Sequence, residues 1–108
     1  MALSHYLTYA GAVTGAQPSL NLDPSISPFT VTAAVFLVST GTYGLEYTLD
    51  PIDTADASCR WFPASQLPTG TTASGTQTFT APITKVRINI AANATGIELK
   101  TLQGFTQN

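Results

Sequence analysis

Charge is scarce in this chain of 108 residues. Four basic and six acidic residues give a net charge of −2, and charged residues make up 9% of the chain, against a usual quarter. Four basic residues do not form the stripe that follows a phosphate backbone, and no polybasic run addresses a membrane. We therefore expect neither a nucleic-acid nor a membrane partner. With 44% hydrophobic residues, some apolar surface is expected to meet other subunits.

Cysteine and histidine each occur once. Cys59 alone excludes an internal disulfide and a multi-cysteine metal site, and a single cysteine fits assembly in a reducing cytoplasm. His5 can be paired on paper with Cys59 or a serine, but nucleophilic catalysis also needs a third group that orients the base, and there is no Gly-x-Ser-x-Gly elbow. We expect no enzyme activity and no cofactor, with His5 at a strand surface or an interface.

Long apolar segments are also missing. The longest mainly apolar run, residues 31–38, is too short to span a bilayer. The first seven residues lack the basic and apolar regions of a secretory signal peptide.

Three aspartates, Asp50, Asp53 and Asp56, are spaced three apart around a proline. Hand-type calcium loops need acidic residues two apart and a glycine at the turn, and that pattern is not present. The ordinary interpretation is that these residues start turns and cap a short helical turn, with a loose calcium site as the alternative.

The clearest periodicity covers residues 82–102. Apolar and polar residues alternate on both sides of a break at residues 93–96: Val86, Ile88 and Ile90 against Lys85, Arg87 and Asn89, then Ile97 and Leu99 against Glu98 and Lys100. A period of two on both sides of a turn predicts a hairpin of half-buried strands. Its polar face, which carries three of the four basic residues, is expected to be solvated.

Further strands are predicted at residues 2–10, 20–22, 29–39, 43–49 and 76–80, and residues 59–63 are expected to be a brief strand or an anchor. The run 29–39 has the nearly continuous apolar character of a strand covered on both faces, and it is expected to form a second hairpin with 43–49. The single tryptophan, Trp61, is expected in the core.

These patterns predict an all-β fold: a single-domain antiparallel β-sandwich or jelly-roll-like barrel of about seven or eight short strands. The domain covers residues 1–108, with a possible extended N-terminal arm or loop at 1–28 and a C-terminal tail at 103–108.

Five segments also resemble a known group. They cover residues 43–52 (an aromatic start and Tyr-Thr-Leu-Asp), 60–62 (Arg-Trp-Phe), 69–74 (Thr-Gly-Thr-Thr-Ala-Ser), 79–90 (Ala-Pro-Ile, then Val-Arg-Ile-Asn-Ile) and 97–103 (alternating, closing on Gln). This series resembles small virion structural proteins of tailed bacteriophages, the capsid decoration or cement-like proteins. The resemblance covers about residues 40–103.

The resemblance implies a decoration protein that binds the outer shell between capsomers and stabilises the head. Its partners would be the major capsid protein and copies of itself, as a homodimer or homotrimer. It would be made in the bacterial cytoplasm and reside on the capsid surface. The candidate interface residues are Leu3, His5, Tyr6, Leu20, Leu22 and Phe105.

Two other functions stay open. One is a low-copy tail or head–tail accessory protein. The other is a carbohydrate- or receptor-binding β module, which an exposed aromatic pair lining a groove would favour.

Overall fold

The computed structural model describes residues 2–10, 14–22, 29–37, 41–93 and 96–104, and of residues 2–10, 93 and 104 it describes the backbone alone. Within these ranges the chain forms β1 (Ala2–Ala10), β2 (Gly15–Ala16), β3 (Leu20–Asn21), β4 (Thr30–Leu37), β5 (Gly41–Thr48), a 3-10 turn (Asp56–Ser58), β6 (Trp61–Pro63), β7 (Gly75–Phe79), β8 (Lys85–Asn93) and β9 (Gly96–Gly104). The predicted all-β class is confirmed.

The strands form two antiparallel sheets. Sheet A has the order β1-β9-β4-β7, and sheet B has the order β2-β8-β5-β6, with β3 pairing farther along β8. The pairs are nested along the sequence: β1 with β9, β2 and β3 with β8, β4 with β7, and β5 with β6. Nested pairing rolled into two facing sheets is the topology of a jelly roll, one of the two architectures that the sequence predicts.

Both predicted hairpins are wrong. In the described residues β8 pairs with strands of sheet B and β9 with strands of sheet A, and the same division separates β5 from β4. Alternation reports which side chains are buried, but it does not report which sheet a strand joins. In both cases two strands that are consecutive along the chain belong to different sheets.

The core lies between the inner faces of the sheets. In β4 the buried row is Val31, Ala33, Val35 and Leu37, while Phe36 between them is 56% exposed. The sequence predicts a strand covered on both faces, but only one face of β4 is covered. One face of sheet A packs against sheet B, and in the described residues no helix covers the other face.

Both segments predicted as extensions supply strands to the sandwich, β1 and the end of β9 to sheet A and β2 and β3 to sheet B. Residues 2–10 pair with β9 in nine consecutive registers, from Ala2 with Gly104 to Ala10 with Gly96. At the other end Gln103 is fully buried in β9. The predicted arm therefore begins with a sheet strand, the tail loses its first two residues to β9, and residues 105–108 lie outside the described part of the chain.

The segment between β6 and β7 closes the free edge of β5. The backbones of Tyr43 and Thr71 exchange two hydrogen bonds of 2.9 Å each. Thr69 passes so close to β5 that a Cβ added to Gly44 would lie 2.8 Å from its Cα. Glycine at position 44 is what allows this approach.

Candidate interface

A polar network covers one end of the outer face of sheet B. The carboxylate of Asp56 accepts hydrogen bonds from the hydroxyl and the backbone N–H of Ser19, at 2.9 and 3.3 Å. The ammonium of Lys85 lies 3.1 Å from the same carboxylate and also donates to the carbonyl oxygen of Thr54. Three segments that are distant in sequence, the β2–β3 connection, the 3-10 turn and β8, are joined at this one carboxylate.

The two ends of the network differ in burial, with Asp56 partly exposed and Lys85 enclosed. Partial burial by itself raises the pKa of Asp56, but the hydrogen bonds from Ser19 and the ion pair with Lys85 together outweigh it and hold that pKa below its ordinary value. Lys85 is 3% exposed, so the expectation that it belongs to a solvated face is wrong. The segment between β5 and β6 folds over β8 at Lys85 and excludes water from the ammonium group.

Beside this network, Arg87 connects two neighbouring strands of sheet B. Its Nε donates to Oε1 of Glu46 at 2.8 Å, and the two residues are register partners in β8 and β5. The guanidinium also stacks 4.0 Å from the ring centroid of Trp61, a cation–π contact. Trp61 is thus partly exposed on the outer face of the sheet, and its predicted place in the core is wrong.

The aspartate series is used mainly for internal contacts. Asp50 accepts a hydrogen bond of 2.6 Å from the backbone N–H of Arg60, and Asp56 binds Ser19 and Lys85 as described. Asp53 is exposed. Asp56 is the first residue of the 3-10 turn that the sequence predicted in this loop, but the N-cap residue is Ala55, and no side chain caps the turn. Within the described residues no three acidic, histidine or cysteine side chains converge on one point.

Among the side chains that the structure describes, five large apolar ones are exposed, and they lie on different parts of the molecule. Phe36 and Leu102, at 56% and 53% exposure, lie on the outer face of sheet A. Leu49 and Phe62, at 59% and 44%, lie at the end of β5 and on β6 in sheet B, with Ile52 in the following loop. In an antiparallel sheet the solvent face normally carries polar residues, so these side chains are candidates for contact with partners.

An aromatic pair lies at the edge of sheet B. The rings of Tyr47 and Phe62, register partners in β5 and β6, have centroids 5.8 Å apart at an interplanar angle of 33°. Tyr47 also makes an edge contact with Phe79 of sheet A, with centroids 5.3 Å apart. Phe79 is buried, so the cluster passes from the core to the exposed ring of Phe62.

The predicted interface residues have different positions. Leu20 and Leu22 are 8% and 3% exposed and belong to the core, which leaves little of either side chain for a partner to contact. Leu3, His5 and Tyr6 lie in β1, at register positions opposite Gln103, Thr101 and Lys100. Phe105 lies outside the described residues.

Sequence reasoning missed the Asp56 network and the exposed apolar face of sheet A. The network joins residues 29 and 37 positions apart, and no local pattern reports such a contact. The exposed face did have a signal. Phe36 is out of phase with the buried row that contains Val35 and Leu37, so reading the run as a strict alternation identifies it as outward-facing.

Comparison with known proteins assigns no family. No protein-family model and no curated protein matches the chain. A solved structure of infectious bursal disease virus, Gx strain, is similar over the whole chain, with 15% identity and a TM-score of 0.45, and this chain spans 34% of that one. A structure of Bacillus endospore appendages, described as disulfide-linked pili, is similar over 97% of this chain and 89% of that one, with 12% identity and a TM-score of 0.38. Likenesses this distant carry no assignment of function.

The described part of the chain contains no helix with the length and hydropathy needed to cross a bilayer.

Proposed function

We propose that this chain is a structural subunit of an assembled particle, specifically a bacteriophage capsid decoration protein that binds the outer shell between capsomers. The observation that carries the proposal is the exposure of large apolar side chains on two separate surfaces, Phe36 and Leu102 on sheet A and Leu49 and Phe62 on sheet B. A protein that holds two neighbours together needs two such contact surfaces.

Each of these two surfaces supplies a limited binding energy. Full burial of one leucine or phenylalanine side chain stabilises a complex by about 1.5–3 kcal/mol relative to leaving it in water. Association also has an entropic cost, so each surface by itself supports a modest affinity. Many copies bound to a repeating shell would act together, which is how a small decoration protein reinforces a particle.

The particle and host class in this proposal come from the sequence resemblance over residues 40–103. The jelly roll is compatible with it, but this fold serves both viral capsid proteins and lectins, and so it does not choose between them. The extensive sheet pairing and the Asp56 network supply the rigidity that a cement requires.

Stoichiometry tests the proposal directly. Virions of the phage that encodes the chain would be purified and dissociated, and this protein would be quantified against the major capsid protein by mass spectrometry. A ratio within severalfold of one supports decoration of the shell. A trace ratio indicates a low-copy tail or head–tail protein instead, and complete absence overturns the virion assignment.

A pair of variants tests the contact surface. Phe36→Ser and Leu102→Ser are expected to weaken binding to undecorated particles, while the free energy of unfolding changes by no more than about 0.5 kcal/mol, as for other surface substitutions. Thr30→Ser, an exposed position on the same face, is the matched control and should bind normally. Normal binding by both serine variants would remove sheet A from the interface.

A carbohydrate-binding module is the second candidate, because the partly exposed Tyr47–Phe62 pair offers aromatic surface for stacking on a sugar ring. Titration of the labelled protein with sugars of the host surface, followed by NMR, tests it. Shifts of residues around Phe62 that disappear in Phe62→Ala would support this function.

A further inference from the structure

The long edge of sheet A is formed by β1. The nine residues of β1 pair with β9 in unbroken register, and among the described residues no strand pairs with the other edge of β1. The remaining edges are shorter: β7 has five residues, β6 has three and ends at Pro63, and β2 and β3 have two each. Proteins usually protect a long edge with charge, proline or a bulge, because its free N–H and C=O groups accept another strand.

None of these protections is present in β1. Residues 2–10 contain no Lys, Arg, Asp, Glu or Pro, although the chain has seven prolines elsewhere. The register with β9 contains no bulge that would twist the edge away. Length, regularity and lack of charge together make this edge suited to pairing with another strand.

We infer that β1 pairs antiparallel with β1 of a second copy across a two-fold axis, joining two four-stranded sheets into one of eight strands. The inference rests on the proposed function and names the surface for one of its partners, the chain itself. A two-fold contact uses the same patch on both subunits and closes at two copies, so it occupies the edge without continuing into a fibre.

Charge favours a second copy as the occupant. Full overlap of the two strands places Ala2 opposite Ala10 of the partner subunit and Tyr6 opposite Tyr6 of the partner subunit, at the axis. Like charges directly opposite each other destabilise a strand pair, and a strand without Asp, Glu, Lys or Arg brings none together. Its one histidine, His5, would lie opposite Leu7 of the partner subunit. An uncharged edge has, by the same reasoning, no feature that would select a charged foreign strand.

The dimer is also continuous with the apolar face of sheet A. The two-fold axis of an antiparallel strand pair is perpendicular to the sheet, so both copies present the same face to the same side. Phe36 and Leu102 of each copy then lie on one extended surface. Dimerisation would double the surface that the proposed function presents to the shell.

Matched glutamate substitutions test the inference. Tyr6 and Ala34 are both register partners of Lys100, one on the edge strand β1 and the other on the inner strand β4. Tyr6→Glu and Ala34→Glu therefore place the same charge beside the same lysine, but only Tyr6→Glu puts two carboxylates at the dimer axis. Circular dichroism would establish that both variants keep the fold.

Sedimentation equilibrium is the readout. The wild-type protein is expected at twice its chain mass of 11.3 kDa. Tyr6→Glu should raise the dimer dissociation constant at least about tenfold, and Ala34→Glu should leave it unchanged. If Tyr6→Glu does not fold, hydrogen exchange of the wild type replaces it, with protection of β1 amides that increases with protein concentration.

A wild-type monomer, a trimer, a dimer indifferent to Tyr6→Glu, or β1 protection independent of concentration would overturn the two-fold pairing. These results are distinguishable from failure of the proposed function. If the protein is near-stoichiometric in virions but monomeric in solution, the decoration function is supported and the β1 dimer is overturned.

Discussion

The ammonium of Lys85 and the carboxylate of Asp56, 3.1 Å apart, differ sharply in exposure: the side chain of Lys85 is 4% accessible and that of Asp56 is 35% accessible. The cation is enclosed under the segment between β5 and β6, whereas the anion is in contact with water. The two partners are therefore not equivalent, and the loss of each should have a different cost.

Asp56→Ala is expected to lower the free energy of unfolding by about 2–4 kcal/mol, because it leaves a buried ammonium with the carbonyl of Thr54 as its described partner. Lys85→Met is expected to cost about 1 kcal/mol, since the carboxylate that remains is hydrated and still bonded to Ser19. Urea denaturation of both variants measures the difference. Equal losses would show that the ammonium is not confined as described.

Acidification should weaken the same network. The pKa of Asp56 is lower in the folded protein than in the unfolded chain, so its ionised form stabilises the fold. That contribution is complete above the unfolded pKa and is lost as the pH falls through the folded pKa. We expect the free energy of unfolding to decline below about pH 4.

Asp56→Asn should reduce that decline. Asp53→Asn, an exposed position in the same loop, is the control and should retain it. Urea denaturation at a series of pH values compares the two. A wild-type acid dependence that persists unchanged in Asp56→Asn would assign the effect to other carboxylates.

Gly44→Ala tests the closure of the β5 edge. Its new Cβ would meet the backbone of Thr69, which cannot rotate away, and we expect a loss of about 1–3 kcal/mol. Gly75→Ala is the matched control, because the contact there is the terminal methyl group of Leu67 at the same 2.8 Å. In thermal unfolding, Gly44→Ala should have a lower Tm than Gly75→Ala. The reverse order would contradict the close approach of the Thr69 backbone to Gly44.

Thr101→Val should stabilise the protein. The hydroxyl of Thr101 is fully buried, and it has no hydrogen-bond partner among the described residues. Removing an unsatisfied polar group while keeping the shape of the side chain is expected to raise the free energy of unfolding by about 1 kcal/mol. A measured loss of stability in denaturant would reveal a partner for this hydroxyl.

The sequence predicted strands well and their partners poorly. Alternation in residues 85–90 identified Val86, Ile88 and Ile90 as inward-facing, and all three are buried. The same alternation gave no information on whether β8 would join β9 or β5, because both arrangements bury the same row. The nested pairing depends on distant contacts that no short window contains.

Outer faces were the second source of error. A residue in the polar row of a strand is solvated only if nothing crosses above it, and the segment between β5 and β6 crosses above Lys85. Arg87 is instead paired sideways within sheet B, with Glu46 of β5 and Trp61 of β6. Binary patterning resolves two sides of a strand, but it does not show whether an outer side is covered.

The pairing of β1 with β9 also affects how the chain folds. Every pair in this ladder, from Ala2 with Gly104 onward, joins residues at opposite ends of the described sequence. During synthesis β1 leaves the ribosome long before β9 exists, and closing so large a loop is entropically costly. We expect slow folding in which sheet A is completed last, with nascent β1 depending on chaperones to avoid pairing with the wrong strand.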